Sequence, residues 1–428
     1  MKKVGAVFFL AFFLLNVHCT GQVIVLTPET AVEKALESNI TVLQNKLSLG
    51  LKKRDKNFSW NSISPTLSAS GSYTKAVPGK NDAKGSISVG ATLRTTLTPG
   101  LYTTIKNSAL AYENQEITYE TAVRNVQVAV LKSYYTILYE KENLELQKKS
   151  LETKKNQYVA NLAKYNRGML SKVDVFTARL NYDNSVLSVE TMKTNHENSI
   201  AQFKQICGID QSAEVEFTGS FDRILGLEKF SMEGTEKKSL AIESLEKQIS
   251  MAKNQIMALR FSAWGPSLTA GYSYNYSSND DGSTWDDGGS LSLSASIPLD
   301  GLLPWSKGSQ NVESQKDSLK SLELQLENEK TAFEINSDAL EKKIQTCMAN
   351  IRLRKTAVEL AETTYSMVLE AYGHGTRDIL ALQNSEDNLL TARVNLILEA
   401  NTLVASIYDL ENLCGMEFGT LLGERNEN

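Results

Sequence analysis

An internal duplication restricts the fold of this chain more than any other feature of its sequence. Four short landmarks of the first half return in the same order in the second half. They are two Ser-rich and Gly-rich segments (64–73 and 85–93, returning at 265–274 and 289–297), a Tyr-x-x-Gly pattern (Tyr165 and Tyr372) and a Cys-Gly pair (Cys207 and Cys414). The sequence therefore predicts two related structural repeats.

Each repeat has the pattern of a helix, two strands, a long helix, a break and a return helix. Small apolar residues alternate with Ser, Thr or Gly in four segments, which is the period of a β-strand. These predicted strands cover about 66–75 and 86–97 in the first repeat, and about 266–276 and 289–299 in the second.

The long helices are the dominant elements. Residues 101–166 contain neither Pro nor Gly, and apolar side chains recur there every three or four residues, as in an amphipathic helix. With the matching stretch 305–372, each helix spans on the order of 100 Å and predicts coiled-coil packing. The combined length of an opening helix and a return helix, stacked end to end, matches the length of one long helix. The opening helices are 28–62 and 235–262, and the return helices are 171–207 and 376–414. The lengths predict a layered α-helical barrel.

These patterns predict the domain boundaries. The first repeat covers 22–209 with a hairpin tip at 165–172, and the second covers 235–416 with a tip at 372–377. Residues 210–234 form an inter-repeat linker, and 417–428 form a C-terminal tail.

The N-terminus predicts export from the cytoplasm. Two lysines are followed by an apolar run from Val4 to Leu15 and then by short polar residues, which is typical of a secretory signal peptide over residues 1–19. Cys19 leaves lipid attachment as an alternative to simple removal.

The composition argues against several function classes. The net charge of −5 forms no basic stripe for nucleic acid. His196 and His374 are the histidines beyond the signal peptide, and no metal-ligand spacing, phosphate loop or nucleophile motif is present, so we expect no enzyme, metal or cofactor. Cys207, Cys347 and Cys414 are widely spaced and predict no disulfide framework or zinc site.

The four predicted strands have the length of membrane-spanning β-strands. The acidic segment between the last two (277–289) predicts a solvated external loop. Four strands cannot close a barrel, and an open sheet edge in lipid leaves backbone groups unpaired. Spanning strands would therefore require several chains, and three chains would give twelve strands. A soluble pair of hairpins that caps a coiled coil is the alternative.

With these motifs in order, the chain resembles the TolC-type outer-membrane efflux protein family over nearly its whole predicted mature length. The resemblance is carried by LTPETAVEKALESN near the start, by the strand entries at Pro65 and Pro266, by the two hairpin tips, and by Gly208 and Gly415 after the return helices. It implies an α+β membrane protein: a homotrimer with a twelve-stranded barrel in outer-membrane lipid and a long α-helical tunnel in the periplasm. Such a channel is the passive exit duct of a tripartite efflux pump or a type I secretion system.

The resemblance also implies roles for the hairpin tips. Docking of a periplasmic adaptor protein and its inner-membrane pump is assigned to Arg167, Gly168, Met169, Leu170, Ser171, His374, Gly375 and Thr376. A periplasmic gate closed by hydrogen bonds and salt links is assigned to Asp174, Tyr372 and Arg377. Some members carry inward aspartates on the second return helix, but the equivalent positions here are Ala381 and Asn384.

Two other functions remain open from the sequence. A periplasmic adaptor also uses a long helical hairpin, although it has one hairpin where this chain has two. A coiled-coil envelope protein without a channel would show sustained heptads without the repeated strand pair.

Overall fold

The computed structural model describes residues 24–75, 85–227, 230, 232, 237–279 and 284–422. The predicted signal peptide and Cys19 lie outside the described residues. Parts of the predicted linker, external loop and C-terminal tail also lie outside them.

The secondary structure is mainly helical. The strands are β1 (Ile24–Leu26), β2 (Thr66–Lys75), β3 (Gly85–Leu97), β4 (Val215–Phe217), β5 (Ser267–Asn279) and β6 (Trp285–Ser296). The helices are α1 (Pro28–Ser38), α2 (Ile40–Asn57), α3 (Gly100–Asn166), α4 (Lys172–Cys207), α5 (Asp222–Leu225), α6 (Leu240–Trp264), α7 (Lys307–Gly373) and α8 (Ile379–Leu413). Helices α3 and α7, of 67 residues each, confirm the two long helices that the sequence predicts. Within the described ranges, no helix carries an apolar run long enough to cross a bilayer.

The chain forms two compact units, and each contains segments of both repeats. The described residues of the tip unit lie within 24–35, Val130–Arg223 and Val358–Asn401, and they include both hairpin tips. Those of the sheet unit lie within Leu36–Ala129, Ile224–Ala357 and 402–422.

The core of the tip unit is centred on Tyr134. Strands β1 and β4 pair in parallel. The Tyr134 hydroxyl lies within hydrogen-bonding distance of two carbonyl oxygens, that of Leu26 at 2.8 Å and that of Thr218. The same hydroxyl accepts a hydrogen bond from the backbone N–H of Thr218. Its fully buried ring packs edge-on against Phe217 at a centroid distance of 5.4 Å. Two three-residue strands are too short to show a sequence period, so β1, β4 and the short helix α5 were not predicted.

The sheet unit contains an antiparallel sheet with the strand order β2-β3-β5-β6. The pairing of β3 with β5 joins the two repeats, and β2 and β6 are the edge strands of this sheet. All four strands overlap the segments where alternation predicts them.

The register separates the sheet into an apolar face and a polar face. Leu93 lies opposite Leu67 on one side and Tyr272 on the other, and Tyr272 lies opposite Leu291, so these side chains share the apolar face. The intervening positions carry mainly Ser, Thr and Gly and form the polar face. Hydroxyl pairs cross that face between neighbouring strands, at 2.8 Å for Ser72 with Ser88, 2.8 Å for Ser273 with Ser290 and 3.1 Å for Thr96 with Thr269.

Two expectations about element bounds were wrong. The opening helix predicted over 28–62 is two helices, because Asn39 accepts the backbone N–H of Thr41 and thereby starts a new helix. The predicted external loop 277–289 is shorter, because β5 continues to Asn279 and β6 begins at Trp285. Trp285 stacks on Tyr276 at a centroid distance of 4.8 Å, which extends the strand pairing.

Cys207, Cys347 and Cys414 are buried, and none of them forms a disulfide within the described residues. Burial raises the pKa of the Cys207 thiol to about 12, so the thiol is neutral at physiological pH.

We expect Tyr134→Phe to destabilise the protein by roughly 1–3 kcal/mol, because it leaves buried backbone groups without their partner. The measurement is the apparent unfolding temperature in detergent, followed by far-ultraviolet circular dichroism. Tyr102→Phe is the matched control, since the Tyr102 side chain is 61% exposed. Equal unfolding temperatures for both variants would contradict the role given to the Tyr134 hydroxyl.

Candidate functional site

Both hairpin tips use the same backbone device to end the long helix. Gly168 has a φ of 75°, and the N–H groups of Gly168 and Met169 bond the carbonyl oxygens of Tyr165 and Lys164 at 2.8 and 3.0 Å. These are the two hydrogen bonds of a Schellman motif, which places glycine in the left-handed conformation. The Tyr-x-x-Gly pattern therefore marks a helix end.

The second tip repeats this geometry. Gly375 also has a φ of 75°, and the N–H groups of Gly375 and Thr376 bond the carbonyl oxygens of Tyr372 and Ala371 at 3.0 and 2.9 Å. Gly208 and Gly415 end α4 and α8 through the same pair of bonds. The duplicated glycines are thus four equivalent helix caps.

The return helices begin with different caps at the two tips. At the first tip, the Ser171 hydroxyl accepts the Asp174 N–H at 3.2 Å and donates to the Asp174 carboxylate at 2.6 Å. At the second tip, the Asp378 carboxylate accepts the Ala381 N–H at 2.8 Å. Asp174 and Asp378 therefore both stabilise the N-termini of their own helices.

Most of the predicted docking residues are accessible. Arg167, Gly168, Met169, Ser171, His374, Gly375 and Thr376 are exposed, and Leu170 is half-buried. The Met169 side chain is 63% exposed, which is a large apolar area for a tip to present to water.

The three predicted gate residues have different surroundings. The Tyr372 hydroxyl bonds the Oδ1 atom of Asn161 on α3 at 3.0 Å, and the Lys164 ammonium lies 4.9 Å from the Tyr372 ring centroid. Arg377 is exposed, and among the described residues of one chain no ion pair joins it to Asp174. Of the three predicted gate residues, Tyr372 is thus the one whose described contacts join the second hairpin to the first within a single chain.

The Tyr372 contact belongs to a longer row of polar contacts that sequence reasoning missed. We call this row the polar seam; its members on α3 are Ser150, Lys154, Gln157 and Asn161, and its members on α7 and α8 are Tyr372, Glu386 and Asp387. The α3 members follow the alternating four-residue and three-residue spacing of a coiled-coil contact face, where apolar residues are usual. That departure from the heptad pattern is the sequence signal that could have revealed the seam.

Glu386 is the central residue of the polar seam. Its side chain is 7% exposed, and its two carboxylate oxygens accept from Ser150 at 3.2 Å and from Gln157 at 2.9 Å. Next to it, Lys154 donates to Asp387 at 2.9 Å. Burial raises the pKa of Glu386, although the bonds from Gln157 and Ser150 and the charge of Lys154 oppose that shift.

A cavity of about 130 Å³ adjoins Glu386 and is bordered by Tyr365 and Arg393. Arg393 forms an ion pair with Glu362 at 2.6 Å, so this cation is engaged elsewhere and does not neutralise Glu386. Among the described residues, no group of three His, Cys, Asp or Glu side chains is arranged to hold a metal ion.

Comparison with known families identifies the chain. The sequence model of the family described as "Outer membrane efflux protein" matches residues 32–208 and 235–416, which are most of the two repeats. The chain belongs to the outer membrane efflux protein family. It is therefore an outer-membrane protein of an efflux channel family, and the family's members are channels rather than enzymes. Membership favours the channel over the adaptor and the coiled-coil envelope protein.

Solved structures agree with the fold. The outer membrane channel CmeC of Campylobacter jejuni is 18% identical with a TM-score of 0.74, covering 91% of this chain and 85% of CmeC. CusC is 13% identical with a TM-score of 0.78, covering 91% of this chain and 92% of CusC. VceC of Vibrio cholerae is 13% identical with a TM-score of 0.74, covering 91% of this chain and 96% of VceC. A sequence comparison with curated proteins gives no significant match.

The raised pKa of Glu386 predicts a pH-dependent stability. The Glu386 carboxyl holds its proton more tightly in the folded protein than in the unfolded chain. Its contribution to the free energy of unfolding therefore favours the folded state below the ordinary pKa near 4.5. That contribution is lost as the pH rises through the raised folded value. We expect Glu386→Gln, which keeps the shape and stays uncharged, to raise the apparent unfolding temperature relative to wild type more at pH 7.5 than at pH 4.5.

The control for this experiment is Glu359→Gln, which removes an exposed carboxylate of α7 in the same unit. The difference in unfolding temperature between Glu359→Gln and wild type should be nearly the same at pH 4.5 and pH 7.5. If the difference between Glu386→Gln and wild type is also the same at both pH values, the predicted role of the Glu386 proton in stability is wrong.

Proposed function

We propose that three copies of this chain assemble into an outer-membrane channel with a twelve-stranded barrel and a periplasmic α-helical tunnel. The observation that carries the proposal is the sheet β2-β3-β5-β6, whose edge strands β2 and β6 each pair with a single strand among the described residues and whose apolar face is exposed. In lipid, unpaired backbone groups cost several kcal/mol each, so the edges require partners. The apolar face supplies the surface that contacts outer-membrane lipid.

The strand directions support closure by rotation of identical chains. Each described strand of this sheet is antiparallel to its neighbours, so β2 and β6 run in opposite directions. The edge strand β6 of one chain can then pair antiparallel with β2 of the next chain without a change of pattern. Four strands per chain keep the total even, as in bacterial barrels; the number of three chains follows from the family resemblance.

We infer that the channel is a passive exit duct, opened at its periplasmic tip when an adaptor and an inner-membrane pump of an efflux or type I secretion system dock. The exposed tip residues, including Met169 and His374, support a docking role. No catalytic function is proposed for the chain.

We also propose that Asp174, Tyr372 and Arg377 hold the resting gate closed. The Tyr372–Asn161 hydrogen bond supports this for the contact between the two hairpins. The exposed Arg377 side chain is free to reach Asp174 or another acid of a neighbouring chain, and such a partly solvated pair is breakable at modest cost.

The assembly predicts a trimer in detergent. Full-length protein purified from outer membranes should have the mass of three chains in multi-angle light scattering, and it should conduct ions in planar bilayers. A monomer that stays in water without detergent and shows no conductance would refute the proposed channel.

The gate predicts that its variants conduct more than the resting wild-type channel. Tyr372→Phe removes the bond to Asn161, Arg377→Ala removes the cation, and Asp174→Asn removes the charge while keeping the Ser171 cap. Each should raise single-channel conductance or open probability severalfold, measured without adaptor in planar bilayers.

Tyr165→Phe is the matched control, because Tyr165 is the repeat equivalent of Tyr372 and its side chain is 38% exposed. It should conduct like wild type. Unchanged conductance in all three gate variants would remove these residues from the gate and leave the channel proposal standing.

A further inference from the structure

The polar face of the four-stranded sheet carries very little charge. On the described strands, the residues of this face are Ser, Thr, Gly and Asn, except for Arg94 on β3 and Asp286 on β6. In the proposed barrel this face lines the water-filled passage, because the opposite face is apolar. The passage therefore has a hydroxyl lining in which single charges stand out.

Arg94 is held in this lining by its register. It lies opposite Thr66 on β2 and opposite Gly271 on β5, both residues of the polar face. The Arg94 side chain is exposed, and its guanidinium has no hydrogen-bond or ion-pair partner among the described residues. Its positive charge is consequently not neutralised within the described chain.

Asp286 is too far along the sheet to neutralise it. Arg94 pairs with Gly271 on β5, and Gly271 pairs with Ser292 on β6, so Arg94 and Ser292 lie at the same height in the sheet. From there, Asp286 lies about 20 Å farther along the strand at the usual rise of about 3.3 Å per residue. That separation is about twice the Debye length of roughly 10 Å at 0.1 M salt.

We propose that Arg94 is a selectivity-determining residue, which makes the strand-lined part of the channel favour anionic solutes over cations. The proposal rests on the proposed trimeric channel, in which rotation of identical chains places three Arg94 side chains in one ring. The ring lies near the base of the sheet, where β2 begins at Thr66. A ring of like charges raises the local concentration of anions in the passage.

The effect must depend on salt, because the ring acts on solutes across open water. At about 10 mM salt the Debye length is about 30 Å and the field of the ring fills the passage, whereas at about 1 M salt it is about 3 Å and the field is screened. For three charges in water we expect the ratio of chloride to potassium permeability to change by roughly two- to threefold at low salt when the charge is removed.

The test uses full-length wild-type protein and three Arg94 variants in planar bilayers under a potassium chloride gradient. The reversal potential should shift toward cation selectivity in Arg94→Gln and farther in Arg94→Glu, while Arg94→Lys should retain the wild-type value. These shifts should shrink when both sides of the bilayer are raised to high salt.

The matched control is Lys75→Gln. Lys75 is an exposed cation of the same sheet, but it shares the parity of Tyr73 and therefore belongs to the apolar face. It should leave the reversal potential unchanged. If Arg94→Glu forms channels of normal conductance with the wild-type reversal potential at low salt, the role of Arg94 is refuted while the channel proposal stands. If the wild-type protein forms no channel at all, the proposed function fails first and this inference fails with it.

Discussion

The antiparallel pairing of β3 with β5 is the interaction on which the organisation of the sheet depends. It is the only described strand contact of this sheet that joins one repeat to the other, and twelve residue pairs from Ser86↔Asn279 to Leu97↔Leu268 fix its register. Since side chains alternate along a strand, a slip of one residue would mix the two faces. The apolar face, the polar face and the position of Arg94 on the polar face all follow from that register.

The two repeats end their helices in the same way, but they differ in the side-chain contacts between the hairpins. Gly168 and Gly375 end their helices through the same two backbone hydrogen bonds, because the turn at each tip depends on the backbone conformation and not on the neighbouring side chains. The side chains around them differ. Tyr372 bonds Asn161 on α3, whereas Tyr165, its repeat equivalent, is exposed. The two tips therefore differ in their side-chain contacts although their backbone turns are the same.

The polar seam gives the tip unit a contact face that differs from an apolar coiled coil. Buried polar groups contribute little net stability, but losing one partner is costly, so they favour one alignment of the helices over its neighbours. Glu386 bonds Ser150 and Gln157 of α3, which lie two helical turns apart, and this fixes the position of α8 along α3. By contrast, Tyr134, Phe203 and Phe217 of the same unit pack as an aromatic cluster around a single hydroxyl.

The sequence by itself determined the elements, because their periods and breaks are local properties. The alternation within 66–75 and 86–97 and the long helical pattern of α3 depend only on neighbouring residues, as do the glycines at the tips. The same reasoning failed where a local signal competed or was too short, as at Asn39, which divides the opening helix, and at the three-residue strands β1 and β4. The tertiary structure alone decided which helix receives Glu386, which hydroxyl anchors β1 and β4, and which strand of the second repeat lies beside Arg94. The periodicity of a segment indicates which of its side chains share one face of the helix or strand. The element that packs against that face lies far away in the sequence, so only the folded structure identifies it.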